Sequence, residues 1–149
     1  MPRIFVHEFT VPDASIDVNH HVHHLEYLRW MQDVAIAHSA ARGWPHERYR
    51  AAGIAWVVRS HSIEYLRPAF AGDALSLLTW VADLRSRSSL RCYLVWRASD
   101  RQVLARGETR WVLVEGDSGR ARAIPEELRS SFEVVSDPEE ALRLLQGDS

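Results

Sequence analysis

The sequence of 149 residues contains no lysine, a single cysteine and no apolar run long enough to cross a bilayer. The absence of lysine excludes a lysine Schiff base from any catalytic mechanism. The lone Cys92 cannot form an internal disulfide, and the amino terminus lacks the basic start, apolar core and small-residue cleavage site of a secretory signal. We therefore expect a reducing, cytoplasmic setting.

A large excess of charge of either sign is also missing. The formal net charge is −2 at pH 7, with 26% charged and 46% hydrophobic residues. We therefore expect neither nucleic acid nor a membrane surface as a partner. The length suits one hydrophobic core. We expect residues 1–135 to form one domain and residues 136–149 a helical tail.

One long helix interrupts a series of strand patterns. Apolar residues recur at helical spacing from Leu25 to Ala41, and Gly43 and Pro45 follow as stop signals. One strand pattern precedes this helix, four follow it, and two short helical patterns close the chain. This order predicts an α+β fold in which a five-stranded antiparallel sheet wraps around one long central helix, with short C-terminal helices. The open sheet edges predict a homodimer or a dimer of dimers.

The connection and the strands that follow the helix carry further predictions. We expect a short polar loop directly after the helix. The stretch "GIAWVVRSHSIEYLRPA" has mixed faces, which predicts a long strand with a bend or bulge. The stretch "DALSLLTWVADL" is apolar on both faces, which predicts a central strand covered on each side.

Four histidines occupy five positions in "SIDVNHHVHHLEYLRW", just before the helix. A metal site is one hypothesis for this cluster. However, adjacent histidines at a helix start point roughly 100° apart, so only pairs such as His20 and His24 share a face. We expect no metal here. The simplest alternative is that His20, His23 and His24 are solvated loop residues.

Asp17, Asn19 and His21 alternate along an extended segment before the helix, and no Ser, Thr or Asp immediately precedes it as a cap. We expect unpaired first amides, which together with the helix dipole would bind an oxyanion. Asp17 is close enough in sequence to attack a carbonyl held there, or to deprotonate a water that does so. This arrangement suits thioester hydrolysis. The alternative is that Asp17 is an ordinary cap or turn residue.

The stretch from Asp17 to Trp30 resembles the D-x-N-x-H-V-N-N-x-x-Y-x-x-W signature of hotdog-fold thioesterases, in the 4-hydroxybenzoyl-CoA and acyl-ACP thioesterase branches. The likeness continues through "SIEYLRPAFAGDALSLLTWV" and "RAIPEELRSSF", so it covers about the first 130 residues. It implies that residues 1–135 form a hotdog thioesterase domain with its active site at a dimer interface. The implied substrate is an acyl-CoA or acyl-carrier-protein thioester, and no cofactor is implied besides the CoA of the substrate.

The resemblance also implies roles for individual residues. Asp17 matches the catalytic carboxylate of the benzoyl-CoA branch, and His24 matches the position whose backbone amide polarises the thioester oxygen. Asp17, Asn19 and His21 all match residues with catalytic roles in the plant acyl-ACP branch.

The sequence departs from the signature at three positions. His20 replaces a glycine, and His23 and His24 replace an asparagine pair. If the glycine serves a positive φ, histidine there costs stability. The roles of the His20 and His23 side chains stay open.

The resemblance further implies that basic residues in "DLRSRSSLR" hold the CoA phosphates, which points to Arg85 and Arg87. The alternative is an ordinary solvated hairpin. His61 either lines the acyl pocket or faces water, and we expect Glu64 to face water.

Two other functions are compatible with the pattern. A hotdog hydratase or dehydratase has an aspartate followed five residues later by histidine, whereas His21 comes four residues after Asp17. A non-catalytic module that binds acyl-CoA or acyl-carrier protein would not need Asp17. The acyl group, the choice between CoA and carrier protein, and the role of Asp17 as nucleophile or general base all stay open.

Overall fold

The computed structural model describes residues 3–147. The strands are β1 (Phe5–Thr10), β2 (Ile54–Tyr65), β3 (Ala74–Leu84), β4 (Ser88–Arg97) and β5 (Gln102–Glu115). The helices are α1 (His24–Ala41), α2 (His46–Ala52), α3 (Glu126–Arg129) and α4 (Glu140–Gln146), with a short 3-10 turn at Asp13–Ser15. The predicted tail, residues 136–149, ends outside the described residues. Within residues 3–147, no helix is long and apolar enough to span a membrane.

The five strands form one antiparallel sheet in the order β1-β3-β4-β5-β2. Together with α1, this confirms the predicted α+β fold. The pairing of β2 with β5 shifts register between Val58 and Ser60, which confirms the predicted irregularity in the long strand after the helix. The order leaves β1 and β2 as the two edges of the sheet.

Helix α1 lies against one face of the sheet. Its buried residues are Tyr27, Met31, Val34, Ala35, His38 and Ser39. They share the core with sheet residues such as Leu77, Tyr93 and Val95. Gly107 on β5 lets the helix approach closely, because a Cβ at this position would lie 2.8 Å from Sδ of Met31.

The other face of the sheet is covered near the carboxyl terminus. Leu78 and Trp80 of β3 pack there against Val135 and against Ala141 of α4. Strand β3 is therefore covered on both faces, as its apolar sequence predicts. The division into a domain and a tail stays a prediction, although α4 packs directly on the sheet.

A second helix replaces the polar loop that we expected between α1 and β2. Helix α2 begins after Pro45, and Gly53 ends it in the left-handed conformation with a φ of 72°. The expectation of a loop was wrong because it was based on the shortness and polarity of the segment. The helix depends instead on Pro45 and Gly53 at its ends and on packing. Tyr49 of α2 accepts a hydrogen bond from Nε1 of Trp56 at 3.1 Å and lies 2.7 Å from Oγ of Ser39.

Helix α1 runs antiparallel to β2, which defines two ends of the molecule. At the His24 end, the hydroxyl of Tyr65 donates to the carbonyl of His24 at 3.1 Å. At the Ala41 end, α2 joins the last turn of α1 to the start of β2 at Ile54. The functional groups described below are divided between these two ends.

Candidate active site

Residues 17–21 form a tight loop at the His24 end. The backbone N–H of Asp17 donates to the carbonyl of His21 at 2.8 Å, and the N–H of His20 donates to the carbonyl of Asp17 at 3.1 Å. His20 adopts the left-handed conformation with a φ of 65°. Histidine therefore stands where the thioesterase signature has glycine, at a backbone conformation that glycine adopts more easily.

The carboxylate of Asp17 is held by the backbone of its own loop. Its Oδ1 accepts hydrogen bonds from the N–H groups of Asn19 at 2.8 Å and of His21 at 3.3 Å. This is the turn role that we considered as the alternative to catalysis. The side chain is half-buried, and its Oδ2 accepts no hydrogen bond from residues 3–147. One oxygen therefore fixes the group, and the other is available to water or a substrate.

The first turn of α1 offers one amide without a protein acceptor. Nδ1 of His23 accepts from the N–H of Leu25 at 3.1 Å, and the carbonyl of His23 accepts from the N–H of Glu26 at 2.9 Å. The expectation of unpaired first amides is wrong for Leu25, because a ring nitrogen fills the place of the usual side-chain oxygen, but it holds for His24. The N–H of His24 has no acceptor within residues 3–147. It lies at the positive end of the helix dipole.

Neighbouring segments fix the loop relative to the helix. The N–H of Val22 donates to the carbonyl of Ala69 at 2.9 Å, which ties the loop to the segment after β2. Oγ of the buried Ser15 donates to Oε1 of Glu26 at 2.8 Å, which ties the preceding turn to α1. The Asp17 carboxylate and the His24 amide are thus both attached to the start of the same helix.

The histidine side chains pack against aromatic neighbours rather than around a common centre. The ring of His21 meets Phe70 edge-on with centroids 5.3 Å apart, and the rings of His23 and His24 stack at 4.6 Å. In the described part of the chain, no three His, Cys, Asp or Glu side chains are placed to share a metal ion. The side chain of Asn19 is exposed, so its observed contribution is the backbone hydrogen bond to Asp17.

The two arginines predicted to bind CoA lie at the opposite end of the subunit. Arg85 and Arg87 occupy the exposed turn between β3 and β4, where Nε of Arg85 lies 3.7 Å from Oδ2 of Asp83. The carbonyl of Arg87 accepts from the N–H of Leu113, whose strand partner is Trp56 at the start of β2. One subunit therefore does not bring these arginines next to the 17–21 loop.

A cavity of about 980 Å³ also opens at the Ala41 end. It lies between α1, α2, the start of β2 and the end of β5. Aromatic rings make up much of its wall, namely Trp44, Tyr49, Trp56, Trp111 and Phe132. No residue of the 17–24 segment lines it. The Asp17 loop and this cavity are thus at opposite ends of the chain's fold.

A comparison with protein families shows to which family this chain belongs. The model of the thioesterase-like superfamily matches residues 11–132, which is most of the sequence. The chain belongs to the thioesterase-like superfamily. The resemblance stated from the signature is confirmed, and the predicted assignment as a thioester hydrolase is confirmed at the level of this family.

Three relatives illustrate the range of this superfamily. The long-chain acyl-CoA thioesterase FadM of Escherichia coli is 26% identical over 85% of this chain and 95% of its own length. The palmitoyl-acyl carrier protein thioesterase of Gossypium hirsutum is 25% identical over 91% of this chain, which spans only 35% of that relative. A 1,4-dihydroxy-2-naphthoyl-CoA thioesterase from Synechocystis has the same fold, with a TM-score of 0.80, 19% identity and coverage of 91% of this chain and 99% of its own.

This superfamily member has a buried polar cluster that our sequence predictions missed. Arg91 of β4 is only 6% exposed, and its Nη1 lies 2.8 Å from Nδ1 of His38 and donates to Oγ1 of Thr79 at 3.1 Å. Burial, followed by the charges of Arg91 and Arg42, lowers the pKa of His38 to about 3. His38 is therefore neutral at pH 7.

The missed cluster left only a weak signal in the sequence. His38 continues the apolar stripe of α1 after Tyr27, Met31 and Val34, and a histidine in such a stripe is buried. Arg91 lies on the same face of β4 as the core residue Tyr93, two positions later, but sequence alone does not show which face of that strand turns toward the helix.

His61 and Glu64, both on β2, have different surroundings. Nδ1 of His61 lies 2.5 Å from Oγ1 of Thr109, which in turn donates to the hydroxyl of Tyr93 at 3.1 Å. Burial lowers the pKa of His61. His61 thus points toward the helix side of the sheet, whereas Glu64 is exposed, as expected.

Proposed function

We propose that this protein is an acyl-CoA thioesterase, which hydrolyses an acyl thioester to the free acid and CoA. The observation that carries the proposal is that two unsatisfied groups lie at the start of the same helix. Oδ2 of Asp17 accepts no hydrogen bond, and the N–H of His24 donates none, within residues 3–147. A thioester needs both a nucleophile or base for its carbon and a donor for its oxygen.

Each group has a defined part in the reaction. The amide of His24 binds the carbonyl oxygen, and this contact strengthens as negative charge develops there. Asp17 either takes a proton from the attacking water or adds to the carbonyl carbon itself. The carbon–sulfur bond then breaks, and CoA leaves as a thiolate that takes up a proton. In the second route, water subsequently hydrolyses the acyl–Asp17 anhydride.

Asn19 and His21 act as positioning residues in this proposal. Their N–H groups bind Oδ1 of Asp17 at 2.8 and 3.3 Å and so leave Oδ2 directed to the reaction. The relatives named above as thioesterases of long-chain acyl-CoA and palmitoyl-acyl carrier protein support a thioester substrate. We favour CoA because Arg85 and Arg87 are exposed cations available to its phosphates.

We further propose that the complete site needs two subunits. Edge strand β2 exposes apolar side chains, with Val57 at 44% and Val58 at 53% exposure. Ile36 of α1, which lines the cavity together with the start of β2, is 55% exposed. A long apolar edge strand invites pairing with a second chain. A homodimer in which the two β2 strands pair would cover this surface.

Antiparallel pairing of β2 with its copy would join opposite ends of the two subunits. Tyr65, at the end of one β2, would lie near the start of β2 in the other subunit. The Asp17 loop of one subunit would then face the cavity and the Arg85–Arg87 turn of its partner. This arrangement explains why one subunit separates its Asp17 loop from its aromatic-lined cavity.

The test is thiol release from benzoyl, short-chain and long-chain acyl-CoA, measured with a thiol-reactive dye. We expect Asp17→Asn to lower kcat by about a hundredfold or more, the scale of losing a general base or nucleophile, with little change in Tm. The matched control is Asp13→Asn, which changes an exposed carboxylate in the same connection and should leave the rate unchanged.

Two outcomes would contradict the proposal. Equal rates for wild type and Asp17→Asn would remove Asp17 from the reaction. Binding of the esters without any thiol release would instead identify a non-catalytic acyl-CoA binding module.

A further inference from the structure

Arg91 differs from Arg97 and Arg110, two partly buried arginines of the same sheet, in having no anionic partner within the described residues. Arg97 and Arg110 have side chains that are 12% and 15% exposed, and each lies 2.9 Å from an aspartate oxygen. Arg91 is more deeply buried, but no carboxylate lies within salt-bridge distance of it in the described residues. Burial of an ion without a counter-ion is strongly unfavourable.

The observed partners of Arg91 are neutral and use only one of its nitrogens. Nη1 contacts Nδ1 of His38 and Oγ1 of Thr79. Because Nη1 is a donor, Nδ1 of His38 is the acceptor and the ring carries its proton on Nε2. Nε and Nη2 donate to no acceptor within residues 3–147. Nε and Nη2 lie on one edge of the guanidinium. In arginine, this edge is suited to bind a carboxylate through two parallel hydrogen bonds.

The unpaired cation belongs to the wall of the 980 Å³ cavity. The same cavity is lined by indole and phenyl rings, among them Trp56, Trp111 and Phe132, and Cζ of Arg91 lies 5.9 Å from the ring centroid of Phe132. A mostly apolar cavity with one convergent charged group suits a ligand that is apolar along its length and anionic at its end.

We propose that this cavity binds an acyl group that ends in a carboxylate, and that Arg91 is the residue that selects it. The inference rests on the proposed thioesterase function, because it identifies the cavity with the acyl site. The distal carboxylate would bind Nε and Nη2 of Arg91, while the chain packs against the aromatic wall. The thioester would lie toward the Asp17 loop supplied by the other subunit.

The test compares CoA esters of equal chain length that differ only at the far end. The pairs are glutaryl with valeryl, adipyl with hexanoyl, suberyl with octanoyl and sebacyl with decanoyl. At the best chain length, we expect wild type to favour the carboxylate-ended ester by about tenfold or more in kcat/KM, as for a charge-assisted contact. Arg91→Met should abolish this preference and still hydrolyse the methyl-ended esters. Arg106→Met, at an exposed arginine of β5, should keep the preference.

A binding measurement separates this inference from the proposed function. Free adipate or suberate should raise the Tm of wild type more than hexanoate or octanoate does, and Arg91→Met should lose the difference. This result would support the anion site even if no ester were hydrolysed, in which case only the thioesterase proposal would fail.

The inference is overturned if wild type hydrolyses the esters but shows no preference for a distal carboxylate at any chain length. An unchanged preference in Arg91→Met would overturn it equally. If Arg91→Met does not fold, Arg91→Lys keeps a cation but removes the fork and should reduce the preference. The comparison of carboxylate-ended with methyl-ended esters in wild type tests the inference without either variant.

Discussion

The two ends of helix α1 hold their functional groups in different ways. At the His24 end, Asp17 is fixed by backbone N–H groups two and four residues away, within one loop. At the Ala41 end, Arg91 of β4 contacts His38 of α1 and Thr79 of β3, so three elements must meet. The Asp17 carboxylate is therefore held by local contacts, whereas the buried Arg91 cluster depends on the whole fold. In our proposals, the first end carries the chemistry and the second selects the acyl group.

The largest effect should come from mixing two variants of the protein, one altered at the His24 end and the other at the Ala41 end. Asp17→Asn removes the carboxylate at the His24 end. Ala55→Trp adds a bulky ring at a half-buried position in the wall of the cavity. We expect each variant alone to be nearly inactive. After the two are unfolded and refolded together, about a quarter of wild-type activity should return, since half of the dimers are mixed and each has one intact site.

Two controls make the mixing experiment decisive. Each variant refolded alone should stay inactive, and Ala55→Ser should retain activity because it hardly changes the cavity. No recovery in the mixture, with mixed dimers verified by mass spectrometry, would mean that each subunit carries a complete site. The proposed pairing of opposite ends would then be wrong.

The difference between the two ends also explains what the sequence could predict. The start of the long helix and the order of helices and strands along the chain follow from local patterns. The extended segment expected at Asp17, Asn19 and His21 was wrong, because backbone hydrogen bonds and the left-handed His20 close this segment into a tight loop. The cap by His23 was missed because a ring nitrogen rarely takes that role. The contact between His38 and Arg91 was missed because it depends on the register and facing of β4, which are set by distant strands.

A smaller effect should appear in the pH dependence of stability at the Ala41 end. The pKa of His38 is about 3 in the folded protein and 6.5 without perturbation. Between these values the unfolded state binds more protons, so the free energy of unfolding falls as pH falls from 6.5 toward 3. His38→Asn keeps an acceptor for Arg91 but does not titrate. In this pH range, the free energy of unfolding of the variant should fall less steeply than that of wild type, by up to about 1.4 kcal/mol per pH unit.

Urea unfolding at several pH values checks this expectation. The control is His46→Asn, which removes an exposed histidine from α2 and should keep the wild-type pH dependence. If His38→Asn and wild type lose stability in parallel as pH falls, His38 is not the buried neutral group that its contacts indicate.

The smallest effect concerns the backbone of the Asp17 loop. His20 has a φ of 65°, and Arg101, in the turn between β4 and β5, has a φ of 56°. Left-handed backbone costs a residue with a side chain about 1–2 kcal/mol, while glycine adds unfolded-state entropy worth about 0.5–1 kcal/mol. We therefore expect His20→Gly and Arg101→Gly each to raise the free energy of unfolding by up to about 1 kcal/mol, measured by urea unfolding.

The kinetics of these two variants then separate a backbone role from a chemical one at His20. If His20 only closes the turn, His20→Gly keeps the N–H groups of Asn19 and His21 on Asp17, and kcat/KM should match that of Arg101→Gly. A stable His20→Gly protein with a loss of about tenfold or more in kcat would show that the ring takes part in the reaction. The loop would then depend on side chains as much as the buried Arg91 cluster does, and the contrast between the two ends would weaken.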